Sequence, residues 1–496
     1  MKPLILALLL APLAALSQSE PKPSITGGKQ ETADAIPAPF SIREAYCPAH
    51  FGNSYEAMGQ REKATYLAEL KWMGFNQYGD WLTTTDCSNP YASTLEWTLG
   101  KVQLDRKIQG FRAARQIGLA SNLIISTNHV YLDQLQPDYL AKKSKRVLGQ
   151  LVCPSKPEGR KVILENFRRW FDDLADAGVH LNVLTAFAYD YGGCDCEQCR
   201  PWIVTFARLF REIHAIAQKR HPGIEPWVCS WWWTSEEHAQ FNEWAAAEAP
   251  GWIKGMTMHI AYDNTTPLNV PVPDGCKKLA FVHIGYNDKT GKQKYGSRGA
   301  VIAPQRISET LRQLRRSGFE GFQAYSEGVF DDLNKMLLAG IGSGTYRDDE
   351  AALRSYVTRY FKVPEDASTE WAKWMRQWGR SDESVPLPDA AEDFAKISNG
   401  LKSDWRLEIW RSRVELETLD RAIGLPKAIE WTPEKLALAD KWFDAQERLY
   451  REVYRLGPMR NVLNPGASAP AWYNSWRAKN PNIPAPLKTH PVLPQQ

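Results

Sequence analysis

The stretch "DLADAGVHLNVLTAFAYD", Asp173–Asp190, decides how the chain is read. Its first residues close an amphipathic helical run. Gly178 can take the left-handed conformation that ends a helix, and the rest is a near-continuous apolar strand that stops at a carboxylate. The same phrase, helix then Gly plus an apolar residue then a short strand-like run, recurs at Gly74-Phe75, Gly118-Leu119, Gly223-Ile224, Gly251-Trp252 and Gly318-Phe319. Working outward, strands are predicted at 40–46, 75–81, 120–126, 180–189, 225–233, 254–262, 278–286 and 321–327. Helical patterns at Glu56–Met73, Leu104–Ile117, Glu158–Ala177, Pro201–Lys219, Ser235–Ala249 and Pro304–Ser317 separate most of them. The third of these opens on Ser155 and Glu158, the spacing of a capping box. Only "NTTPLNVPVPDGC", after the sixth strand, looks non-helical. Strands apolar on both faces need cover on both faces, so the pattern predicts a (β/α)8 TIM barrel over 40–345, with an open doubly wound sheet as the alternative.

After about Tyr346 the pattern is helix alone. Ser403–Ile423 and Pro433–Leu456 carry apolar residues at helical spacing, and Thr432-Pro433 supplies a cap and a first-turn proline. A C-terminal α-helical appendage is expected over 346–456, followed by a Pro- and Asn-rich tail over 457–496. At the other end, residues 1–17 have one lysine, an apolar run too short to span a bilayer and small residues near Ser17, the pattern of a secretory signal peptide. Residues 18–39 read as a flexible leader. The expectation is a secreted or periplasmic protein with no membrane span.

The net charge is only +4, from 61 basic and 57 acidic residues, so nucleic acid is not an expected partner. Twenty tryptophans and nineteen tyrosines are many, and such rings fill cores but also stack on the apolar faces of sugars.

In such barrels the active site lies at the C-terminal ends of the strands. Those ends carry Glu44, Asp80, His129, Asp190, Trp231 to Trp233, His259 with Asp263, His283 with Asp288, and Glu327. Many carboxylates, abundant aromatics and no phosphate-cradling glycine loop suit glycoside hydrolysis, in which one carboxylic acid protonates the leaving oxygen and a second carboxylate attacks or activates water. Glu327 and Asp190 are the first catalytic pair, and Asp263 is the rival partner. Asp80, His129, Trp231, Trp233, Tyr286 and Tyr325 are candidates for substrate contact. Against this stands the plainer possibility that a carboxylate caps a loop or pairs with an arginine, and that a histidine or tryptophan is core. Asp331 and Asp332 are expected to cap the helix that follows them.

The segment "GGCDCEQC", Gly192–Cys199, places three cysteines within six residues. Cys194, Cys196 and Cys199 can wrap one tetrahedral ion, with Cys153 as the fourth ligand from the preceding loop, which would make a filled, structural zinc site. In an exported protein, disulfides are the competing expectation. No cofactor is expected in the chemistry itself.

The segments "YDYGGCDCEQCRPW", "VCPSKPEGR" and "YSEGVFDDLNK" resemble a group of secreted bacterial barrel proteins distantly similar to α-glucuronidases and β-hexosaminidases. The resemblance covers roughly residues 40 to 345, and its most specific part is the Asp-x-Gly-Gly-Cys-x-Cys-x-x-Cys loop. It implies carbohydrate processing, with that loop beside the active site. The position after Asp190 is often acidic in that group and here is Tyr191, which shifts weight to Glu327.

The leading expectation is therefore a secreted glycoside hydrolase acting on oligo- or polysaccharide fragments. The alternative is a non-catalytic carbohydrate-binding TIM barrel, supported by Tyr191. A metal-dependent hydrolase using the histidines ranks last, because the chain has no His-x-His or His-Glu-x-x-His pattern.

Overall fold

In the computed structural model of the protein, the described residues are 38–454 apart from 50–52, 83–88, 96–97, 143–150, 189–192, 261–268, 289–295, 297, 380–387, 403 and 425–431. The signal-like segment, the leader up to residue 37 and the C-terminal tail lie outside them.

Eight parallel strands close into a barrel in chain order: β1 (Ile42–Tyr46), β2 (Gln77–Trp81), β3 (Ala120–Ser126), β4 (Val183–Phe187), β5 (Glu225–Cys229), β6 (Gly255–Ile260), β7 (Lys277–His283) and β8 (Gly321–Tyr325), with β8 pairing back to β1. The crossovers are α1 (Ser54–Ala57) with α2 (Gln60–Met73), α3 (Leu99–Gln116), α4 (Pro157–Asp176), α5 (Trp202–Arg220), α6 (Ser235–Glu248) and α7 (Pro304–Arg316), and α8 (Asp332–Gly342) follows β8. Between β6 and β7 no helix occurs among the described residues. All six handover glycines have positive φ, from 66° at Gly251 to 114° at Gly74, as a helix ending in a left-handed residue requires.

Side-chain alternation divides each strand between an outer face, packed on the helices, and the lumen. The lumen is filled in three layers. At the bottom lie Ile42, Val183, Trp227 and Leu279. The middle layer is polar: Glu44 Oε2 accepts from the amides of Gln77 and Asn122, Oε1 accepts from Gln323 Nε2 at 2.9 Å, and the Thr185 hydroxyl donates to Asn122 Oδ1 at 2.9 Å. Above it Tyr46, Trp81, Ile124, Phe187, Cys229, Phe281 and Tyr325 form an apolar, mostly aromatic lid. Gly79 makes the middle layer possible, because a Cβ there would lie 2.1 Å from Glu44 Oε1.

The region after the barrel is helical: α9 (Asp349–Tyr360), α10 (Glu365–Gly379), α11 (Pro388–Ile397), α12 (Trp405–Ile423) and α13 (Pro433–Arg448), which runs into a π-helical turn at Leu449–Val453. Thr432 caps α13, accepting from Lys435 N, and Pro433 takes the first position, as its sequence predicts. Buried cations of α12 hold this region to the barrel. Arg406 pairs with Asp332 at 2.6 Å, and Arg413 donates to the Ala300 carbonyl at 2.8 Å. Packing of this kind makes loss of either cation costly, since the partner would stay buried and uncompensated.

Two local expectations are corrected. Helix α4 begins at Pro157 with Lys156 as its N-cap and no side-chain cap, so Ser155 falls one residue too early for a capping box. Its hydroxyl instead meets Cys199 Sγ at 3.0 Å and the Gln198 carbonyl at 3.3 Å. Asp331 and Asp332 do not cap α8 through their side chains. Asp331 is fully buried against Lys335 and Ser326, and Asp332 accepts from Arg406, Tyr66 and Tyr356. A buried carboxylate beside a cation gains more from that pairing than from a helix amide.

Candidate active site at the barrel mouth

The carboxylate of Glu327 sits two residues beyond Tyr325, the last residue of β8, and accepts from the Tyr325 hydroxyl at 2.7 Å. Alternation explains the placement. Gln323 reaches Glu44 in the lumen and Tyr325 joins the aromatic lid, whereas Phe322 and Ala324 are buried in the core under the helices. Glu327 continues the lumen side past the end of the strand and is only partly buried.

The lid forms a continuous aromatic floor beneath it. Tyr325 stacks on Phe281 with centroids 5.3 Å apart and lies 5.2 Å from Tyr46. Phe281 meets Trp231 edge-on at 4.7 Å, and Trp231 lies 3.9 Å from the His259 ring. His283 packs on Tyr325 at 4.9 Å and on Tyr286 at 4.7 Å, and its Nδ1 accepts from Gly285 N at 3.4 Å. Burial pushes the His259 imidazole down to about 4 and the His129 imidazole to about 3, so both are neutral near pH 7. His129 lines a small cavity with Trp81, Ser126, Tyr131 and Trp170 and forms an antiparallel bridge with Leu151.

Several expected site residues stand elsewhere. Asp80 points outward to α3. It accepts from Lys107 Nζ at 2.7 Å, Tyr78 OH at 2.7 Å and Trp81 N at 2.8 Å. Burial pushes its carboxyl up, but Lys107 and Lys63 outweigh burial and hold it below the usual range. The reason is strand phase: Gln77, Gly79 and Trp81 take the lumen, which leaves Tyr78 and Asp80 on the helix side. Glu44 is a lumen residue but lies under the lid with no exposure. Asp288 accepts from Arg306 N at 2.9 Å at the start of α7, and burial pushes it up to about 6. Trp233 is buried among Phe206, His238 and Phe241 rather than beside Trp231. The strand ends at Cys229, and Trp232 then adopts φ 59°, which breaks the alternation that would have put residues 231 and 233 on one side. Asp190 and Asp263 lie outside the described residues.

Next to the mouth, Cys153, Cys194, Cys196 and Cys199 converge, their sulfurs all within 4.8 Å of one another. Cys153 is 3.6 Å from Cys199 and 3.8 Å from Cys196. A disulfide requires about 2.0 Å, whereas a tetrahedral ion with bonds near 2.3 Å sets sulfur–sulfur edges of about 3.8 Å. The four sulfurs therefore fit the ligand set of a metal and not a pair of bridges. The surrounding loops are already tied together: Lys142 N donates to Cys194 Sγ at 3.3 Å, Asp195 N to the Lys142 carbonyl at 3.1 Å and Cys153 N to the Tyr139 carbonyl at 2.8 Å. The Cys199 thiol, with backbone amides of Cys196 and Lys142, holds the Cys194 sulfur below the usual thiol range, while the same contact pushes Cys199 up. The four cysteines that the sequence grouped, Cys153 from the preceding loop included, are the ones the structure brings together.

No family model matches the chain, and no curated protein sequence matches it. Among solved structures, an O-GlcNAc hydrolase mutant from Thermobaculum terrenum is similar at 11% identity and TM-score 0.44, covering 89% of this chain and 90% of that one. A catalytic module of a pneumococcal exo-β-D-N-acetylglucosaminidase shows 10% identity, TM-score 0.38 and coverage of 67% and 95%. A β-mannanase from the blue mussel Mytilus edulis shows 10% identity, TM-score 0.38 and coverage of 62% and 92%.

Proposed function

We propose that the protein is a glycoside hydrolase acting on oligo- or polysaccharide fragments, with Glu327 as a catalytic carboxylate at the barrel mouth. The observation that carries this reading is the hydrogen bond from Tyr325 to Glu327 above an aromatic floor. This bond supports the reading because it orients a partly exposed carboxylate at the strand ends, the face barrel enzymes use for chemistry, beside rings suited to the C–H faces of a sugar. A second carboxylate is needed, and Asp190 after β4 or Asp263 after β6 supplies it. Glu327 then protonates the leaving glycosidic oxygen or attacks the anomeric carbon, and its partner takes the other role. Trp231, Tyr286 and Tyr325 face the substrate.

The four cysteines hold a structural Zn2+ in this reading. All four positions of a tetrahedral ion would be filled by thiolates, leaving no site for substrate or water, so the metal would fix the β3–α4 and β4–α5 loops and not enter the reaction. Export, expected from residues 1–17, completes the reading. Among the described residues no helix is long and apolar enough to cross a membrane.

A screen on aryl glycosides, run with and without chelator, tests the proposal. Chelator-insensitive turnover that Glu327→Gln abolishes supports it. Saccharide binding without turnover favours the binding barrel suggested by Tyr191, and turnover that falls with chelation while the fold persists favours metal-dependent hydrolysis.

A further inference from the structure

Trp232 carries a backbone conformation that its side chain disfavours. After β5 the chain makes a tight turn, closed by Trp233 N donating to the Ser230 carbonyl at 3.1 Å, and Trp232 occupies its third position with φ 59°. A turn of this kind normally places Gly or Asn there, because a Cβ crowds the backbone in the left-handed region. Among the described residues only Lys362 is the other non-glycine with positive φ. The ring gains little from burial in return, since Trp232 remains 49% exposed, an unusual fate for a tryptophan in a chain whose other large aromatics are mostly core.

The ring's position supplies a reason. Trp232 lies 5.9 Å from Trp231 at an interplanar angle of 34°, and Trp231 in turn meets Phe281, which stacks on Tyr325, the residue bound to Glu327. An unbroken line of rings therefore runs across the mouth from the carboxylate to the exposed tryptophan. Strained residues that are not needed for packing tend to be held where a ligand uses them.

The geometry points to Trp232 as a stacking platform for a sugar ring beyond the one at Glu327, which makes the substrate a chain of at least two pyranoses. What the indole recognises is a pyranose face that presents C–H groups, a face that several sugar configurations offer. This inference rests on the saccharide reading of the mouth and adds an outer subsite to it.

Calorimetric binding to the full chain tests it, with cello-, xylo-, manno- and chitotetraose and the matching monosaccharides as probes, and with Glu327→Gln as the common background so that turnover does not intervene. Trp232→Gly should weaken tetrasaccharide binding about tenfold or more, which corresponds to the loss of one ring contact. Monosaccharide binding should change less than threefold, and Trp232→Phe should keep most of the affinity. The thermal midpoint of Trp232→Gly should equal or exceed that of the parent, because glycine relieves the backbone. Tetrasaccharide affinity unchanged in Trp232→Gly, or a midpoint lowered by several degrees, overturns the platform while leaving the hydrolase reading intact. A parent protein that binds none of the probes overturns both.

Discussion

The Tyr325 hydroxyl donates to Glu327 Oε1 at 2.7 Å, joining the end of β8 to the carboxylate just beyond it. The bond does two things at once: it fixes the rotamer of a partly exposed glutamate and ties it to the aromatic lid. Glu327→Gln should keep the fold and sugar binding while turnover falls by about 10²- to 10⁴-fold, the usual share of proton transfer. Near-normal turnover would move the chemistry to Asp190 and Asp263.

Tyr325→Phe keeps the ring in the lid and removes only the donor. A hydrogen bond to a charged group is worth about 1.5 to 3 kcal/mol, so kcat should fall by about 10- to 100-fold with little change in thermal stability. A large loss of stability with normal kcat would mark the hydroxyl as purely structural.

Glu44 gives the protein a pH-dependent stability. Burial under the lid raises its carboxyl to about 7, against hydrogen bonds from Asn122, Gln77 and Gln323 that favour the ionised form. A folded-state value above the unfolded one means the native state holds the proton more tightly. The stabilisation is therefore complete below about pH 4.5 and is lost as pH rises through 7. Glu44→Gln, an amide of the same shape, removes this dependence. Between pH 5 and pH 8 the wild type should lose on the order of 3 kcal/mol relative to the variant, read from denaturant midpoints at each pH. Parallel curves for the two proteins would refute the assignment.

Gly79→Ala should destabilise the barrel by about 3 kcal/mol, because the new methyl meets the Glu44 carboxyl and both are enclosed. The double variant Gly79→Ala with Glu44→Ala should recover part of that loss, since the clash disappears with the carboxyl. Additive losses would place the strain elsewhere.

The cysteine cluster predicts one zinc per chain by metal analysis and four free thiols at Cys153, Cys194, Cys196 and Cys199 after chelation in denaturant without reductant. Cys153→Ser should lose the metal and lower the thermal midpoint by several degrees, because metal binding stabilises only the folded loops. A metal-free protein in which these sulfurs resist thiol reagents until reduced would establish disulfides instead.

The sequence by itself determined the barrel. Helix, handover glycine and apolar strand repeat along 40–345, and the strands observed match those predicted closely at β3 and fall short mainly at their ends, where 180–189 becomes Val183–Phe187 and 225–233 becomes Glu225–Cys229. Strand ends recede because residues past the last ladder bond, such as Trp231, keep strand-like composition but turn away in the loop. What only the tertiary structure decided was phase and convergence. A buried parallel strand is apolar on both faces, so its sequence does not say which alternate residues enter the lumen; closure of the barrel sent Glu44 and Gly79 inward and Asp80 out to Lys107. In the same way, "CDCEQC" announces ligands three at a time. Whether Cys153 reaches them depends on how the loops after β3 and β4 fold over each other, a relation between segments that no local spacing contains.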